Sequence, residues 1–191
     1  MMHKIKIEPI EEPVTLDDMR RQIGISDPSD TMRDDIIEKR IVSARRWAEQ
    51  FSERAFVTQT WEYYGYCFKN SIRLRKDVQS VISVKYLDND GARQTLDSSF
   101  YDVDTVGSFI RLAWGKEWPA HRAAENSIII EYVCGYGLAV SVPEDIKDAI
   151  KFIVGQWENY QSGIESGGRV STVPYAAEQL LRPYRDARGA F

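Results

Sequence analysis

The sequence predicts an α+β protein in which N- and C-terminal helices pack together around one inserted antiparallel β-sheet. Apolar residues recur at three- and four-residue steps near both ends of the chain, whereas the middle alternates with a period of two. The 191 residues are expected to form a single domain. It would consist of N-terminal helices in 1–55, a sheet region in 56–134 and C-terminal helices in 135–191.

Two helices are predicted before the sheet. Thr15 precedes "LDDMRRQ" and Asp18 follows three residues later, an arrangement typical of a capping box at a helix start. A longer amphipathic helix is predicted from Thr31 to Glu53. Its apolar stripe consists of Ile37, Ile41, Ala44, Ala48 and Phe51.

About five or six short strands are predicted between Phe56 and Val133, because β-branched and aromatic residues alternate there between turn signals. Asn89-Asp90-Gly91 indicates a hairpin turn. The same acidic turn resembles the opening of a calcium-binding loop, but such a loop needs glutamate at its twelfth position, where Ser99 stands.

The C-terminal part returns to helical periodicity from Pro143 to about Tyr160, with Ile150 and Trp157 on the apolar face. The segment 161–172 is rich in glycine and serine and is predicted to be a mobile loop. A short final helix should end near Arg182, before Pro183. Such a short element must dock, either on its own subunit or on a neighbour.

The segment "CGYGLAVSVPEDIKDAI" passes from a strand through glycines into a helix, which is the order found in nucleotide-binding loops. Val140 stands where a dinucleotide fingerprint needs its third glycine. Glu144 and Asp145 occupy the first helical turn, where they complement the helix dipole and repel phosphate. Gly135 and Gly137 are therefore predicted to form a mechanical joint.

No residue set favours catalysis, a metal or a cofactor, so no enzymatic activity is expected. Asp102 and Asp104 share a strand face, but nothing in the sequence raises either pKa. His121 lacks a nucleophile-elbow pattern near any serine and is expected at the surface. Cys67 and Cys134 are expected to be buried, reduced thiols.

The formal net charge of −4 argues against nonspecific DNA wrapping, which requires many lysine–phosphate and arginine–phosphate contacts. No long apolar run is present, so neither a signal peptide nor a membrane span is expected.

Two surfaces could mediate interactions. Trp61, Tyr63, Tyr64, Tyr66, Trp114 and Trp118 supply aromatic side chains for a subunit interface or for stacking on a ligand. Arginines on the predicted helix 31–53 could be a solvated face or could form salt bridges to an acidic neighbouring subunit. The members of this candidate ring salt-bridge face are Arg33, Arg40, Arg45 and Arg46.

The order of motifs resembles the head–tail connector (adaptor, or head-completion) family of tailed bacteriophages and prophages, in the variant with an inserted β-sheet. The resemblance extends from about Pro13 to Arg185. It rests on these segments in this order: "PVTLDDMRRQIGI", "ARRWAEQFSERAFVTQTWEYY", "SVISVKYLDNDGARQTLDSSFYDVD", "IIIEYVCGYG", "VPEDIKDAIKFIVGQWENY" and "VPYAAEQLLRPYR".

The resemblance implies a structural protein of the virion neck, made in the cytoplasm of the bacterial host and without a membrane partner. It implies a homo-oligomeric ring beneath the portal protein. The ring would extend the DNA channel and present a surface to a downstream neck or tail (stopper) protein. It also implies that 174–191 contacts the portal or a neighbouring subunit, with candidate residues Tyr175, Leu180, Leu181, Arg182, Tyr184 and Arg185.

The alternative from a different class is a small carbohydrate- or ligand-binding β module that uses the outward aromatic residues as a platform.

Overall fold

The structure is a computed structural model, and it describes residues 2–27, 29–162 and 174–185. The chain divides into two compact units. The first, called the sheet unit, contains Met1–Ile10 and Thr58–Tyr136; the second, called the helical unit, contains Glu11–Val57 and Gly137–Phe191. The expectation of a single domain stays a prediction.

The sheet unit holds two antiparallel sheets. The strands are β1 (Met2–Ile7), β2 (Gln59–Gly65), β3 (Ser71–Arg73), β4 (Val78–Leu87), β5 (Arg93–Leu96), β6 (Tyr101–Asp104), β7 (Phe109–Leu112) and β8 (Ile128–Cys134). One sheet has the order β1-β2-β8-β4-β5 and the other β3-β7-β6. The α+β class is confirmed. The described strands form two sheets rather than one, and the N-terminal β1 was not foreseen.

Alternation along the strands creates the core of the sheet unit. Along β8, Ile128, Ile130, Tyr132 and Cys134 are buried and the residues between them are half-buried. The edge strand β1 contributes His3, whose Nδ1 lies 2.9 Å from the Tyr132 hydroxyl oxygen. Burial, with smaller contributions from nearby arginines, lowers the pKa of His3 to about 4.

The predicted hairpin turn is confirmed between β4 and β5. Gly91 adopts a positive φ of 85°, a conformation that glycine takes without strain, and its N–H donates to the Asp88 carbonyl at 3.0 Å. The Asp88 side chain also accepts a hydrogen bond from the Ala92 N–H at 2.8 Å. These contacts hold Asp88 as a turn residue.

The helical unit contains α1 (Leu16–Gln22), α2 (Asp34–Ser52), α3 (Glu144–Ser162) and α4 (Tyr175–Leu181). The capping box of Thr15 and Asp18 is present as predicted. Helix α3 begins one residue after the predicted Pro143, whose carbonyl accepts the first helical hydrogen bonds from Ile146 and Lys147. A turn of 3-10 helix at Arg182–Tyr184 follows α4, which therefore ends where Pro183 predicts.

The buried stripes of α2 and α3 follow the predicted periodicity over most of their length. Ile37, Ile41, Ala44 and Ala48 of α2, and Ile146, Ile150, Ile153 and Val154 of α3, are all buried. Phe51 and Trp157 are only half-buried. The predicted mobile loop 161–172 falls mainly in 163–173, outside the described residues.

The glycines that raised the question of a nucleotide site lie where the chain passes from the sheet unit to the helical unit, between Tyr136 and Gly137. Gly135 and Gly137 have φ values of 131° and 126°, which favour glycine. These conformations are compatible with the predicted joint, which stays a prediction. No helix in the described parts of the chain combines the length and apolar character needed to span a bilayer.

Candidate subunit interface in the helical unit

Two of the predicted interface arginines converge on one carboxylate of their own chain. Arg33 and Arg40 donate to different oxygens of Glu158 on α3, whose side chain is only 3 % exposed. Burial, and then the adjacent Arg33 guanidinium, lower the pKa of Arg40. These arginines thus neutralise a buried glutamate inside the subunit. Arg33, which is the more exposed of the two, can still reach the surface.

Arg45 is not part of an exposed face, which corrects its placement in the predicted set. Its side chain is 1 % exposed and donates from Nε to Glu12 at 2.7 Å and from a terminal nitrogen to Glu49 at 2.8 Å. Glu49 in turn accepts the backbone N–H of Phe56 at 2.8 Å. Helical periodicity explains the burial, because Arg45 directly follows Ala44 on the edge of the apolar stripe. Arg46 is exposed.

The C-terminal segment docks on its own unit. The Tyr184 hydroxyl donates to Asp145 at 3.1 Å, and Arg54 Nε donates to the Tyr184 carbonyl at 2.5 Å. The Arg185 guanidinium lies 5.5 Å from the centre of the Phe51 ring. These contacts attach the segment to both long helices.

Burial divides the six candidate residues of this segment into two groups. Leu181 is completely buried, so it belongs to the core of its own unit and not to a surface. Leu180 and Tyr184 are half-buried, whereas Tyr175 is 71 % exposed. Arg182 and Arg185 are also exposed. Tyr175, Arg182 and Arg185 are therefore the members available for a contact with another molecule.

A groove of about 690 Å³ lies in the helical unit, and it was not predicted from the sequence. It is lined by 11–16 and Asp18, by part of α2, and by 139–140 with the first half of α3. The Ala139 N–H donates to Glu11 at 2.7 Å, and this hydrogen bond joins two of the segments that line the groove. Only the folded chain brings these distant segments together.

Solved structures resemble this fold over nearly the whole chain. A chain from the neck of an empty gene transfer agent (GTA) particle, computed with C6 symmetry, has a TM-score of 0.76 at 14 % identity. A chain from the virion of the native particle has a TM-score of 0.75 at 14 % identity. Another, from the native neck computed with C12 symmetry, has 0.71 at 13 %. Each match covers 97 % of this chain and 95 % of the other.

The chain has the fold of a GTA neck chain. No protein-family model matches the sequence, and no curated protein matches it either. The likeness therefore lies in the fold, at a level of identity where sequence comparison alone finds nothing. It confirms the neck-type fold expected from the order of motifs.

The predicted aromatic residues do not form one outward platform. Trp61 and Tyr63 are buried, and Arg75 stacks over Trp61 at 4.0 Å. The Tyr64 hydroxyl donates to Glu62 at 2.6 Å. Trp118 is half-buried and stacks on Phe68, with 4.4 Å between the ring centres. Of the six predicted aromatic residues, Tyr66 and Trp114 are the exposed ones.

The acidic, histidine and cysteine side chains that were weighed for catalysis or metal binding have local structural contacts. Asp104 accepts the Gly107 N–H at 2.6 Å and lies 3.9 Å from Arg111. His121 is half-buried and packs edge-on against Phe68, so it is not the plain surface histidine that was expected. Neither cysteine forms a disulfide; Cys134 is buried as expected, whereas Cys67 is only half-buried. Within the described ranges, no group of three or more His, Cys, Asp or Glu side chains could hold a metal ion.

Proposed function

We propose that the protein is a structural head–tail connector of a tailed phage, prophage or phage-like particle. It would form a homo-oligomeric ring beneath the portal, extend the DNA channel and present a surface to the neck or tail. The observation that carries this proposal is the likeness of almost the whole chain to chains of GTA particles, two of them from the neck. In this proposal, the protein acts through assembly and not through catalysis.

The symmetry of the related particles supports a ring. The necks that contain the similar chains were computed with C6 and C12 symmetry. A ring of identical subunits requires two different, complementary patches on each subunit. In the proposed ring, the exposed Tyr175, Arg182 and Arg185 contact the portal, while Arg33 and Arg46, which are also exposed, lie at the contact with a neighbouring subunit.

The distribution of charge supports a channel role for the helical unit. This unit has 18 Asp and Glu against 14 Lys and Arg, a net charge of −4, whereas the sheet unit has 11 of each. A wall with excess negative charge repels the DNA phosphates and does not retain a passing duplex. We therefore propose that DNA passes without sequence-specific binding, on the side of the helical unit.

The ring is tested by negative-stain electron microscopy and mass photometry of the concentrated full-length protein. Closed rings of uniform subunit number are expected. A protein that stays monomeric over the whole accessible concentration range, and binds a carbohydrate saturably on a glycan array, would instead favour the small ligand-binding module. That alternative retains only Tyr66 and Trp114 of its predicted aromatic platform as exposed side chains.

The portal contact is tested with the double substitution Tyr175→Ala and Arg182→Glu. Both side chains are exposed, so the subunit should stay folded while its attachment to portal-bearing heads is lost. Lys39→Glu is the matched control, because it reverses an exposed charge on α2 outside the proposed contact. Attachment is measured by co-sedimentation with isolated heads. Equal attachment of the double variant and the control would refute the assignment of the C-terminal surface.

A further inference from the structure

Trp114 is the most exposed of the large apolar side chains in the described parts of the chain, at 99 % of its possible area. An enclosed tryptophan buries about 150–250 Å², and tryptophan is enriched among the residues that dominate binding energies. The function proposed above assigns no role to this residue. Its exposure therefore requires a separate explanation.

The turn that carries Trp114 is held in a fixed conformation. It begins after β7, where the Ala113 N–H donates to the Phe100 carbonyl at 3.0 Å. The Lys116 N–H then donates back to the Ala113 carbonyl at 3.1 Å, and Gly115 takes a positive φ of 71°. The Lys116 ammonium lies 4.9 Å from the centre of the Phe100 ring. The backbone of such a turn loses little further freedom when the side chain it carries binds.

The groove in the helical unit offers matching chemistry. Its apolar lining consists of Pro13, Val14, Leu16, Ile41, Val42, Ala139 and Val140. Five carboxylates and two lysines also line it, which leaves an excess of negative charge: Glu11, Glu12, Asp18, Glu38, Glu144, Lys147 and Lys151. Lys147 is already paired with Glu144, and Lys151 with Asp148. The groove thus combines an aliphatic surface with an acidic border.

The turn and the groove carry complementary chemical groups. The turn supplies an aromatic side chain and, two residues later, the cation of Lys116. The groove supplies aliphatic surface and carboxylates, and its volume of about 690 Å³ is large enough for an indole ring. The turn belongs to the sheet unit and the groove to the helical unit. Each copy of the chain therefore carries one protruding tryptophan and one groove that could receive it. A head-to-tail ring requires such a pair of unlike patches.

We propose that Trp114 of one subunit inserts into the groove of the next subunit and that this contact closes the ring. The inference rests on the proposed function, because it assigns residues to the contact between ring subunits. Lys116 lies at the acidic border, where it favours the correct orientation of approach. Val140, which is 81 % exposed in the free subunit, becomes covered.

The first test compares self-association of Trp114→Ala with that of the wild type and of Val106→Ala. Val106 is 90 % exposed in the same sheet unit and therefore controls for loss of an exposed apolar side chain. Trp114→Ala should weaken ring formation at least about 30-fold, as expected for a dominant contact residue, while Val106→Ala should leave it unchanged. Circular dichroism should be the same for all three proteins.

The second test places the photo-crosslinking residue p-benzoylphenylalanine at position 114 in the full-length protein. Mixed light and nitrogen-15-labelled subunits distinguish crosslinks between copies from those within one. Crosslinks between copies to 11–18, 38–42 or 139–151 support the contact. Crosslinks to other segments, or self-association of Trp114→Ala as strong as that of the wild type, overturn the contact but leave the ring. Absence of rings in the wild type overturns both the contact and the proposed ring function.

Discussion

Arg45 provides the most direct test of how the helical unit is held together. The substitution Arg45→Met retains much of the side-chain volume but removes the guanidinium that bonds Glu12 and Glu49. Glu49 is only 3 % exposed, so water cannot replace the lost partner. In this variant, Glu49 would still accept the Phe56 N–H but would lose the positive charge of Arg45 beside it.

The magnitude follows from this burial. Removing one partner of a buried ion pair leaves an uncompensated charge and destabilises a protein by about 3–5 kcal/mol. Glu12 is partly exposed and can be solvated, so Glu49 should account for most of the loss. The double substitution Arg45→Met with Glu49→Gln should recover most of it, because the glutamine oxygen can still accept the Phe56 N–H without a buried charge.

Urea denaturation followed by circular dichroism at 222 nm measures the effect, since the helices dominate that signal. Arg46→Met is the matched control on the same helix; being exposed, it should change the free energy of unfolding by no more than about 0.5 kcal/mol. A loss below about 1 kcal/mol in Arg45→Met would refute the reasoning. So would a double variant less stable than the single one.

Three further predictions concern pH, packing and chemistry. Because burial lowers the folded-state pKa of His3 to about 4, stability should fall as pH falls from about 6.5 to 4, by at most about 3 kcal/mol, and His3→Gln should remove this component in acid-titrated urea melts. Ile150→Ala should lower the free energy of unfolding by about 2–5 kcal/mol, because its side chain is fully buried; an unchanged thermal midpoint would contradict the packing of α3. Calorimetry should detect no ATP binding, because Glu144 and Asp145 in the first turn of α3 repel phosphate. Saturable ATP binding would contradict the interpretation of Gly135 and Gly137 as a mechanical joint.

The helices were predictable because their signals are local. The capping box of Thr15 depends on two residues three positions apart, and the apolar stripe of α2 repeats over four turns. Both patterns are fixed by the geometry of one helix, whatever it packs against. The hairpin turn at Gly91 was predictable for the same reason, since its backbone conformation favours glycine.

Strand β1 and the division into two sheets depend on distant partners. The six residues of β1 alternate too briefly to distinguish a strand from an extended arm, and they become a strand by pairing with β2. Likewise, β3 has only three residues and is defined by its ladder with β7. Short strands carry little sequence signal, because the neighbouring strand supplies the hydrogen bonds that define them.

The candidate interface shows the same limit for charged residues. A row of arginines on a helix predicts a polar face, but exposure depends on where the partner carboxylates lie in the fold. Glu158 comes from α3, more than a hundred residues after Arg33 and Arg40, and Glu49 draws Arg45 into the core. Arg45, which is itself buried beside Glu49, is part of the interior of its own subunit and cannot also bridge to another. The surfaces left for assembly are therefore those that stay exposed in the folded subunit. Among the described aromatic residues, Trp114 and Tyr175 are the most exposed.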